Sequence, residues 1–426
     1  MVTLAKNIIA HASGKEQLAT GDIVMASVDL AMVHDSSGPR RLVPKLQELG
    51  MSPWDSNKIV VVSDHFVPAD TESAQMIQKI TKSWVRDHDI SHYYDSEGIC
   101  HVLLPERGHI KPGMFCVGGD SHSPTAGAFG AYMFGVGATD MAGVMATGET
   151  WLTVPETILI EWQGVLQPNV CAKDMILKLC ADFGIAGAAD HVVQFTGSTI
   201  SSLGMQERMT LTNMTAELGA QTGIIAPDEV TYNYLASVGL DIPLPEQHWS
   251  IATCEQEKNH YRYNASALSP QVALPHSPAN ATDISSCENT EITVAYIGAC
   301  TGAKLTDLKA AAQILRGQKV AQGVKLLVAP ASRKEQAEAE QEGIMQIFRD
   351  AGATILPNAC GICAGYGNNR LENHEVCISS TARNFKGRMG GPDAQVYLSS
   401  PLTVASSAIA GKIYDPRHFD KVASHG

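Results

Sequence analysis

The chain of 426 residues is 44% apolar and 18% charged, so it is neither disordered nor of low complexity and can form large buried cores. Its length corresponds to roughly three domains of about 150 residues. The net charge of −13 disfavours nucleic acid or an anionic membrane as the main partner. We therefore expect neither partner, although a local basic pocket for a small anion is compatible with this charge.

The sequence contains no pattern for a membrane span or for secretion. Its longest nearly uncharged run, 121–139, is rich in glycine, alanine and hydroxyl side chains, unlike a lipid-facing helix. The N-terminus predicts a capped amphipathic helix over 3–14 in place of a signal peptide. We therefore expect a cytoplasmic protein. Its ten cysteines are then reduced thiols, whose spacing bears on metal binding or catalysis.

Apolar runs and helical patterns alternate along the chain. Buried strands are predicted at 59–63, 158–162, 293–298 and 324–328, and helices at 305–315 and 334–351. Repetition of strand, polar loop and helix predicts an α/β fold with mainly parallel sheets. Functional side chains then belong at the carboxyl ends of strands, where Asp64-His65 and Cys300-Thr301 fall.

Two composition changes predict boundaries between domains. The stretch 255–289 is polar, contains three prolines and has few apolar clusters, so it predicts an interdomain segment. A weaker boundary is predicted near 163–167.

Three cysteines have a context suited to metal binding. Cys360 and Cys363 form a Cys-x-x-Cys pair in a glycine-rich loop that lets two thiolates reach one metal, the alternatives being a redox pair or two inert thiols. Cys300 lies where a predicted strand passes into a predicted helix, whose N-terminus favours the thiolate. Three thiolates with an open position suit an iron–sulfur cluster or a zinc site. The other seven cysteines are predicted core residues: Cys100, Cys116, Cys171, Cys180, Cys254, Cys287 and Cys377.

Histidines occur beside carboxylates or glycine-rich turns at three places. Asp64-His65 follows a predicted strand, His101 follows Gly-Ile-Cys, and Asp120-Ser-His122 puts an acid, a hydroxyl and an imidazole into one turn. A single histidine is usually a satisfied core or surface group, but three such clusters weaken that interpretation. A carboxylate beside an imidazole fixes its tautomer and raises its basicity, as general acid–base catalysis requires.

Two arginines, Arg383 and Arg388, lie near flexible glycines in an otherwise acidic chain. They belong either to a solvated loop or to a bidentate clamp for a carboxylate.

These motifs occur in the order seen in the aconitase family: Asp64-His65, Asp120-Ser-His122, Asn213 to Glu217, Cys300-Thr301, Cys360-x-x-Cys363 and Arg383 to Arg388. Over nearly its whole length the chain resembles the large-subunit branch of that family, which acts on isopropylmalate and related acids. The resemblance implies three α/β/α lobes, 1–160, 161–270 and 271–426, around a central cleft that contains a [4Fe–4S] cluster.

The resemblance also implies roles for individual residues. Cys300, Cys360 and Cys363 would bind the cluster, whose fourth iron binds the substrate hydroxyl and a carboxylate. His65, oriented by Asp64, would deliver the proton to the leaving hydroxyl. Two further imidazole–carboxylate pairs are implied: His101 with Asp120, and His122 with Glu217. The implied substrate contacts are Ser121, Arg383 and Arg388 to carboxylates, and Asn213 to the hydroxyl or water.

The catalytic base of the family is a serine on a small swivel domain, and the resemblance covers only the large-subunit part. The resemblance therefore implies a hydro-lyase that needs a separate small subunit carrying that serine. Its substrate would be a 2- or 3-hydroxy dicarboxylate such as 3-isopropylmalate. Methylmalate, dimethylmalate and homoaconitate are the alternatives.

The chain departs from the family pattern at Gly302, Ala303 and Ala382, where amide side chains or a different small residue are usual. The loss of the amide side chains removes hydrogen-bond partners near the implied cluster and favours a side branch of the family.

Two other hypotheses for the function are open. A cluster-less RNA-binding sensor is opposed by the net charge of −13, and a zinc hydrolase would use the same three thiols.

Overall fold

The structure is a computed structural model that describes residues 3–243 and 259–421. The chain forms two compact units. Unit 1 comprises Met1–Ser96, Leu103–Gln163 and Gly187–Tyr263, and unit 2 comprises Glu97–Val102, Gly164–Ala186 and Asn264–Gly426.

Strands and helices alternate through most of the described residues. The strands are β1 (Ile23–Ser27), β2 (Leu30–His34), β3 (Ile59–Ser63), β4 (His92–Asp95), β5 (Phe115–Gly118), β6 (Tyr132–Gly135), β7 (Glu149–Thr153), β8 (Glu156–Gln163), β9 (His191–Thr196), β10 (Thr222–Ile225), β11 (His260–Asn264), β12 (Gln271–Ala273), β13 (Ala281–Asp283), β14 (Val294–Ile297), β15 (Lys325–Val328), β16 (Thr354–Ile355), β17 (Val376–Ser379) and β18 (Gln395–Leu398). The helices are α1 (Leu4–Ser13), α2 (Pro39–Leu49), α3 (Glu72–Asp87), α4 (Cys100–Glu106), α5 (Ala138–Thr147), α6 (Ala172–Phe183), α7 (Ser198–Ser202), α8 (Met205–Asn213), α9 (Glu229–Ser237), α10 (Leu305–Leu315), α11 (Arg333–Gln341), α12 (Ile344–Ala351) and α13 (Pro401–Ala410).

Unit 1 is built on a five-stranded sheet with the order β4-β3-β2-β5-β6, in which every pair of neighbours is parallel. Every residue of β2 and β3 is buried. A parallel sheet covered on both faces requires such continuous apolar strands, because neither face is left to water. The carboxyl ends of β2, β3 and β5 consequently lie side by side at one edge.

Unit 1 contains two further sheets. One has the order β10-β9-β8-β11, with parallel pairing of β9 to both β8 and β10. The other is an antiparallel ribbon of β1 and β7.

Unit 2 is built on a seven-stranded sheet with the order β13-β12-β18-β17-β14-β15-β16. The strands from β18 to β16 are parallel, whereas β12 pairs antiparallel with β13 and β18. Apolar residues of β14, β15, α10, α12 and α13 form one core cluster. Helix α6 joins this unit through Asp174, whose carboxylate accepts a hydrogen bond from the backbone N–H of Gln271 at 2.9 Å.

The predicted α/β class with mainly parallel sheets is confirmed. The four predicted strands correspond to β3, β8, β14 and β15, and the helix predicted at 305–315 is α10. The helix predicted at 334–351 is instead two helices, α11 and α12. They are separated at Gly343, whose φ of 73° is left-handed and ends the first helix. At the N-terminus, α1 is capped by Thr3 and Gly14 as predicted.

The predicted boundary at 163–167 coincides with the passage from unit 1 to unit 2 after Gln163. A second passage, after Tyr263, falls inside the predicted interdomain segment 255–289, of which 255–258 lie outside the described residues. The rest of that segment is not a linker, because it contains β12 and β13 and all three residues of β12 are buried. The three-lobe division remains a prediction.

In the described part of the chain, no helix is long and apolar enough to cross a membrane. The nine cysteines of that part are all free thiols. Cys254 lies outside it.

We expect Gly127→Ala to destabilise unit 1 strongly. A Cβ atom at Gly127 would lie 1.7 Å from the carbonyl oxygen of Gly223, so backbone must move. The expected cost is about 3 kcal/mol, measured as a lowered melting temperature. The control is Gly143→Ala in α5, where a Cβ meets nothing within 4 Å and raises stability by at most about 1 kcal/mol. Equal melting temperatures for the two variants would contradict this packing.

Candidate active site

Three neighbouring strands of unit 1 end in polar residues at the same edge of the five-stranded sheet. Because the strands are parallel, the turns that follow them lie side by side. The residues are His34 and Asp35 at the end of β2, Asp64 and His65 after β3, and Asp120 and His122 after β5.

His65 is held by two buried carboxylates. Its Nδ1 lies 2.6 Å from Oδ1 of Asp64. The carboxylate of Asp35 accepts hydrogen bonds from the backbone N–H groups of His65, at 3.1 Å, and of Phe66, at 2.8 Å. Both aspartates are fully buried. Burial, followed by repulsion from Asp64, raises the pKa of Asp35. The ring of His65 is therefore fixed in position and faces concentrated negative charge.

The charge around His65 determines its protonation. Burial alone disfavours the imidazolium and is the largest single effect, but Asp64, Asp35 and Asp120 together outweigh it and raise the pKa of His65 to about 9. At neutral pH His65 consequently carries a proton on both ring nitrogens. It is suited to act as a general acid.

A second imidazole, that of His34, stacks on His65. The ring centroids are 3.9 Å apart and the planes are inclined by 10°. Nδ1 of His34 accepts a hydrogen bond from the backbone N–H of Ser36 at 3.2 Å, so the ring proton lies on Nε2. That Nε2 is buried and lies 3.5 Å from Oδ2 of Asp120. His34 thus lies between the turn after β3, where its ring stacks on His65, and the turn after β5, where it faces Asp120.

The turn after β5 positions His122. Its backbone N–H donates to Oδ1 of Asp120 at 2.8 Å, and its Nε2 lies 2.9 Å from Oε1 of Glu217. Thr125 donates to the carbonyl oxygen of His122 at 2.7 Å and accepts a hydrogen bond from Nδ2 of buried Asn213, also at 2.7 Å. The residues predicted as a pair, His122 and Glu217, are thus within hydrogen-bond distance, and Asn213 braces the same turn.

Two further predicted residues are Ser121 and His101. Ser121 is exposed in the turn between Asp120 and His122. His101 is buried in the first turn of α4 and belongs to the segment Glu97–Val102 of unit 2. Its pairing with Asp120 remains a prediction.

In unit 2, Cys300 lies in a tight turn after β14. Ala299 has a left-handed φ of 69°, which is strained for a residue other than glycine. A Cβ atom at Gly298 would lie 2.3 Å from the ring of Tyr296, so no side chain fits there. The backbone that leads to Cys300 therefore packs closely against the buried tyrosine.

Cys360 caps the N-terminus of a short 3-10 helix, Gly361–Ala364, and Cys363 lies within that helix. The thiolate form of Cys363 is favoured by hydrogen bonding from the Cys360 thiol and the Arg388 guanidinium. The bond from Cys360, followed against burial by the charges of Arg388 and Arg383, lowers the pKa of Cys363 to about 6. Gly365 keeps the two loops close, because its Cβ would lie 2.6 Å from the carbonyl oxygen of Arg388. Cys360, Cys363 and Arg388 thus lie together in unit 2, within range of the charge of Arg383.

All three predicted ligands lie within electrostatic range of the Tyr296 hydroxyl. Burial raises the pKa of Tyr296 first, and the charges of Cys363, Cys360, Cys377 and Cys300 raise it further, in that order. Three thiolates on one zinc ion, at about 2.3 Å each, would have to lie within about 4.6 Å of one another. In the described part of the chain these cysteines form no group that compact. The three thiols therefore do not form a site compact enough for a single zinc ion.

The positions that depart from the family pattern are tightly packed. A Cβ atom at Gly302 would lie 2.2 Å from Oγ of Ser380, and Ala303 and Ala382 are almost fully buried. A larger residue fits at none of them without rearrangement, so small residues here are a packing requirement of this chain.

His34 and Asp35 are absent from the sequence-based predictions. Their signal was present, because they follow the apolar run 30–33 in the same way that Asp64 and His65 follow 59–63. The order of the histidine and the acid is reversed, however, and the stacking partner is 31 positions away.

Comparison with known proteins agrees with this geometry. The model of the aconitase family (aconitate hydratase) matches residues 6–411. The chain is 42% identical to the 3-isopropylmalate dehydratase large subunit 1 of Methanopyrus kandleri, over 98% of this chain and 99% of that protein. It is also 42% identical to the methanogen homoaconitase large subunit of Methanocaldococcus jannaschii, over 97% and 99% of the two chains.

A solved structure supports the fold. The crystal structure of Thermococcus kodakaraensis aconitase X in its holo-form superposes with a TM-score of 0.50 at 14% identity, over 84% of each chain. The chain therefore belongs to the aconitase family. Its activity class is that of a hydro-lyase, an enzyme that removes water from a substrate or adds it.

We expect Asp64→Asn to lower the melting temperature more at low pH than at high pH. The folded-state pKa of His65, about 9, lies above its ordinary value of 6.5. The pairing of the His65 imidazolium with Asp64 therefore contributes fully to the free energy of unfolding below pH 6.5, and this contribution is lost as the pH rises towards 9. We expect the melting-temperature gap between wild type and Asp64→Asn to narrow over that range. Glu48→Gln, at an exposed site, should show no such trend, and a gap that is constant with pH would contradict the assignment.

In metal-free protein, we expect Cys363 to be alkylated by iodoacetamide with a pH midpoint near 6, as followed by mass spectrometry. Arg388→Met should move the midpoint upwards because the cation that stabilises the thiolate is lost. Lys386→Met, an exposed neighbour, serves as the control. A midpoint near 9 in the unmodified protein would show that Cys363 is an ordinary thiol.

Proposed function

We propose that the chain is the cluster-binding large subunit of a hydro-lyase that dehydrates and rehydrates a 2- or 3-hydroxy dicarboxylate such as 3-isopropylmalate. The observation that carries the proposal is the cluster in unit 2 of Cys363, Cys360 and the guanidinium groups of Arg388 and Arg383. Thiolate ligands and carboxylate-binding groups in one place are what metal-assisted dehydration of a diacid requires. The names of the two relatives at 42% identity support it.

Cys300, Cys360 and Cys363 would hold a [4Fe–4S] cluster and leave one iron without a protein ligand. When bound, that cluster supplies a Lewis acid that makes a substrate hydroxyl a better leaving group. The lowered pKa of Cys363 favours the thiolate that such binding needs.

The remaining residues bind the substrate and move protons. Arg383 and Arg388 bind its carboxylates, since guanidinium groups pair with them in a bidentate fashion. His65, protonated at neutral pH, donates a proton to the departing hydroxyl. The pair of His122 and Glu217 lies around the departing water in this proposal, with the imidazole fixed by the carboxylate. Ser121, Asn213 and the pair of His101 with Asp120 complete the set as substrate contacts and proton carriers.

A partner chain completes the enzyme in this proposal. The relatives are named as large subunits, which supports a separate small subunit carrying the catalytic serine. We further propose a cytoplasmic location, where thiols are kept reduced. The substrate side chain stays between branched malates and homoaconitate, because the relatives named for isopropylmalate and for homoaconitate are equally similar at 42% identity.

Anaerobic reconstitution with iron and sulfide tests the cofactor. We expect about four irons per chain and a brown protein, with Cys360→Ser losing most of the bound iron because one of three ligands is removed. Cys180→Ala, at a buried position in α6, should reconstitute like the wild type. A colourless wild type, or zinc without sulfide, would contradict the proposal.

Activity tests the partner and the substrate class. The reconstituted chain alone should not dehydrate any hydroxy diacid, whereas co-expression with a small subunit should give an absorbing unsaturated product. A screen of 3-isopropylmalate, methylmalate, dimethylmalate and homoaconitate identifies the substrate. Full turnover by the isolated chain would exclude the requirement for a partner.

A further inference from the structure

Lys173, in the first turn of α6, is a fully buried lysine that the proposed chemistry does not use. Its Nζ donates to Oγ1 of Thr301 at 3.1 Å, to the carbonyl oxygen of Ser380 at 2.9 Å and to that of Thr381 at 2.7 Å. An ammonium group has three N–H donors, so this set uses each of them.

The three acceptors belong to two turns that carry site residues. Thr301 follows Cys300 in the turn after β14, whereas Ser380 and Thr381 lie in the turn after β17 that leads to Arg383. Strands β14 and β17 are parallel neighbours, so both turns emerge at the same edge of the sheet. Lys173 reaches them from a segment more than 120 positions away in sequence. One side chain therefore ties the ligand turn to the arginine turn.

The anchoring of α6 makes this tie rigid. The carboxylate of Asp174 accepts hydrogen bonds from the backbone N–H groups of Gln271, at 2.9 Å, and of Cys171, at 3.0 Å. Lys173 cannot follow a shift of either turn without breaking these bonds as well.

The charge of Lys173 is also unusual. Lys304, the other buried lysine at the Cys300 turn, donates to Asp307 at 2.7 Å and to the Cys300 carbonyl at 3.1 Å. The acceptors of Lys173 are all neutral, so its charge is not offset within its own hydrogen bonds. Burial, followed by repulsion from Lys304, lowers the pKa of Lys173 to about 8, while the Cys300 thiolate acts in the opposite direction.

We propose that Lys173 is a positioning residue that clamps the Cys300 turn to the Arg383 turn and places a positive charge close to the Cys300 thiolate. The inference rests on the proposed function, because the charge matters to the cluster that these thiolates would hold. A nearby cation stabilises the reduced, more negative state of such a cluster and raises its reduction potential.

The clamp is tested in metal-free protein by hydrogen exchange. Lys173→Met keeps the length and burial of the side chain and removes the ammonium. We expect amides of 298–304 and 379–383 to exchange at least about tenfold faster, because three buried acceptors lose their donor. Lys178→Met is the matched control: Lys178 lies on the same helix but is partly exposed and paired with Asp182 at 2.6 Å. Unchanged exchange in both turns would overturn the clamp.

A second variant guards against failure of Lys173→Met to fold. Thr301→Val removes one of the three acceptors and leaves the lysine in place, so it should accelerate exchange in the same two turns to a smaller extent. No acceleration in this variant, with Lys173→Met unfolded, would also count against the clamp.

The electrostatic part is tested by redox titration of reconstituted protein, followed by electron paramagnetic resonance. Lys173→Met should shift the cluster potential to more negative values, whereas Lys178→Met should not. A purely structural role would change cluster content without moving the potential, so an unchanged potential overturns this part. If wild type binds no cluster, the proposed function fails and the charge role with it, while the exchange experiment still decides the clamp.

Discussion

Ionisable groups withdrawn from water must be compensated by other groups, and this constraint organises both units. Continuously apolar strands such as β2 and β3 have no room for polar side chains, so these collect at the carboxyl ends of the strands. In unit 1 the compensation is between imidazoles and carboxylates, as in His65 with Asp64. In unit 2 it is between thiols and cations, as in Cys363 with Arg388.

The same physics gives the two clusters opposite properties. Negative neighbours keep a proton on His65 well above its ordinary pKa, whereas the hydrogen bond from Cys360 and positive neighbours lower the pKa of Cys363. In the proposed function, one cluster is thereby suited to give up a proton to a leaving group, and the other to bind a metal through sulfur. The difference between the two clusters follows from the charged residues that lie at the edge of each sheet.

Much of the site could be predicted because its residues lie next to strong local signals. Asp64, His65 and Cys300 follow apolar runs that only a buried strand explains. Lys173 could not be found in this way, since its partners lie more than 120 positions away and its own helix has ordinary spacing. Gly302 was interpreted as a lost amide, but its contact with Ser380 shows a steric requirement that only folded geometry reveals. The residue types could be read from the sequence, but the contacts between residues far apart in the chain could not.

The thiols of the cysteines differ in pKa, and this difference determines which of them is oxidised first in air. Burial raises the pKa of Cys116 and of Cys377, so these core thiols stay protonated and react slowly with peroxide. Cys363 is largely thiolate at neutral pH, so oxidation to sulfenic acid should begin at a proposed cluster ligand. In the proposed function, a ligand is therefore oxidised before the core thiols, and at the sulfenic stage thiol reductants reverse the change.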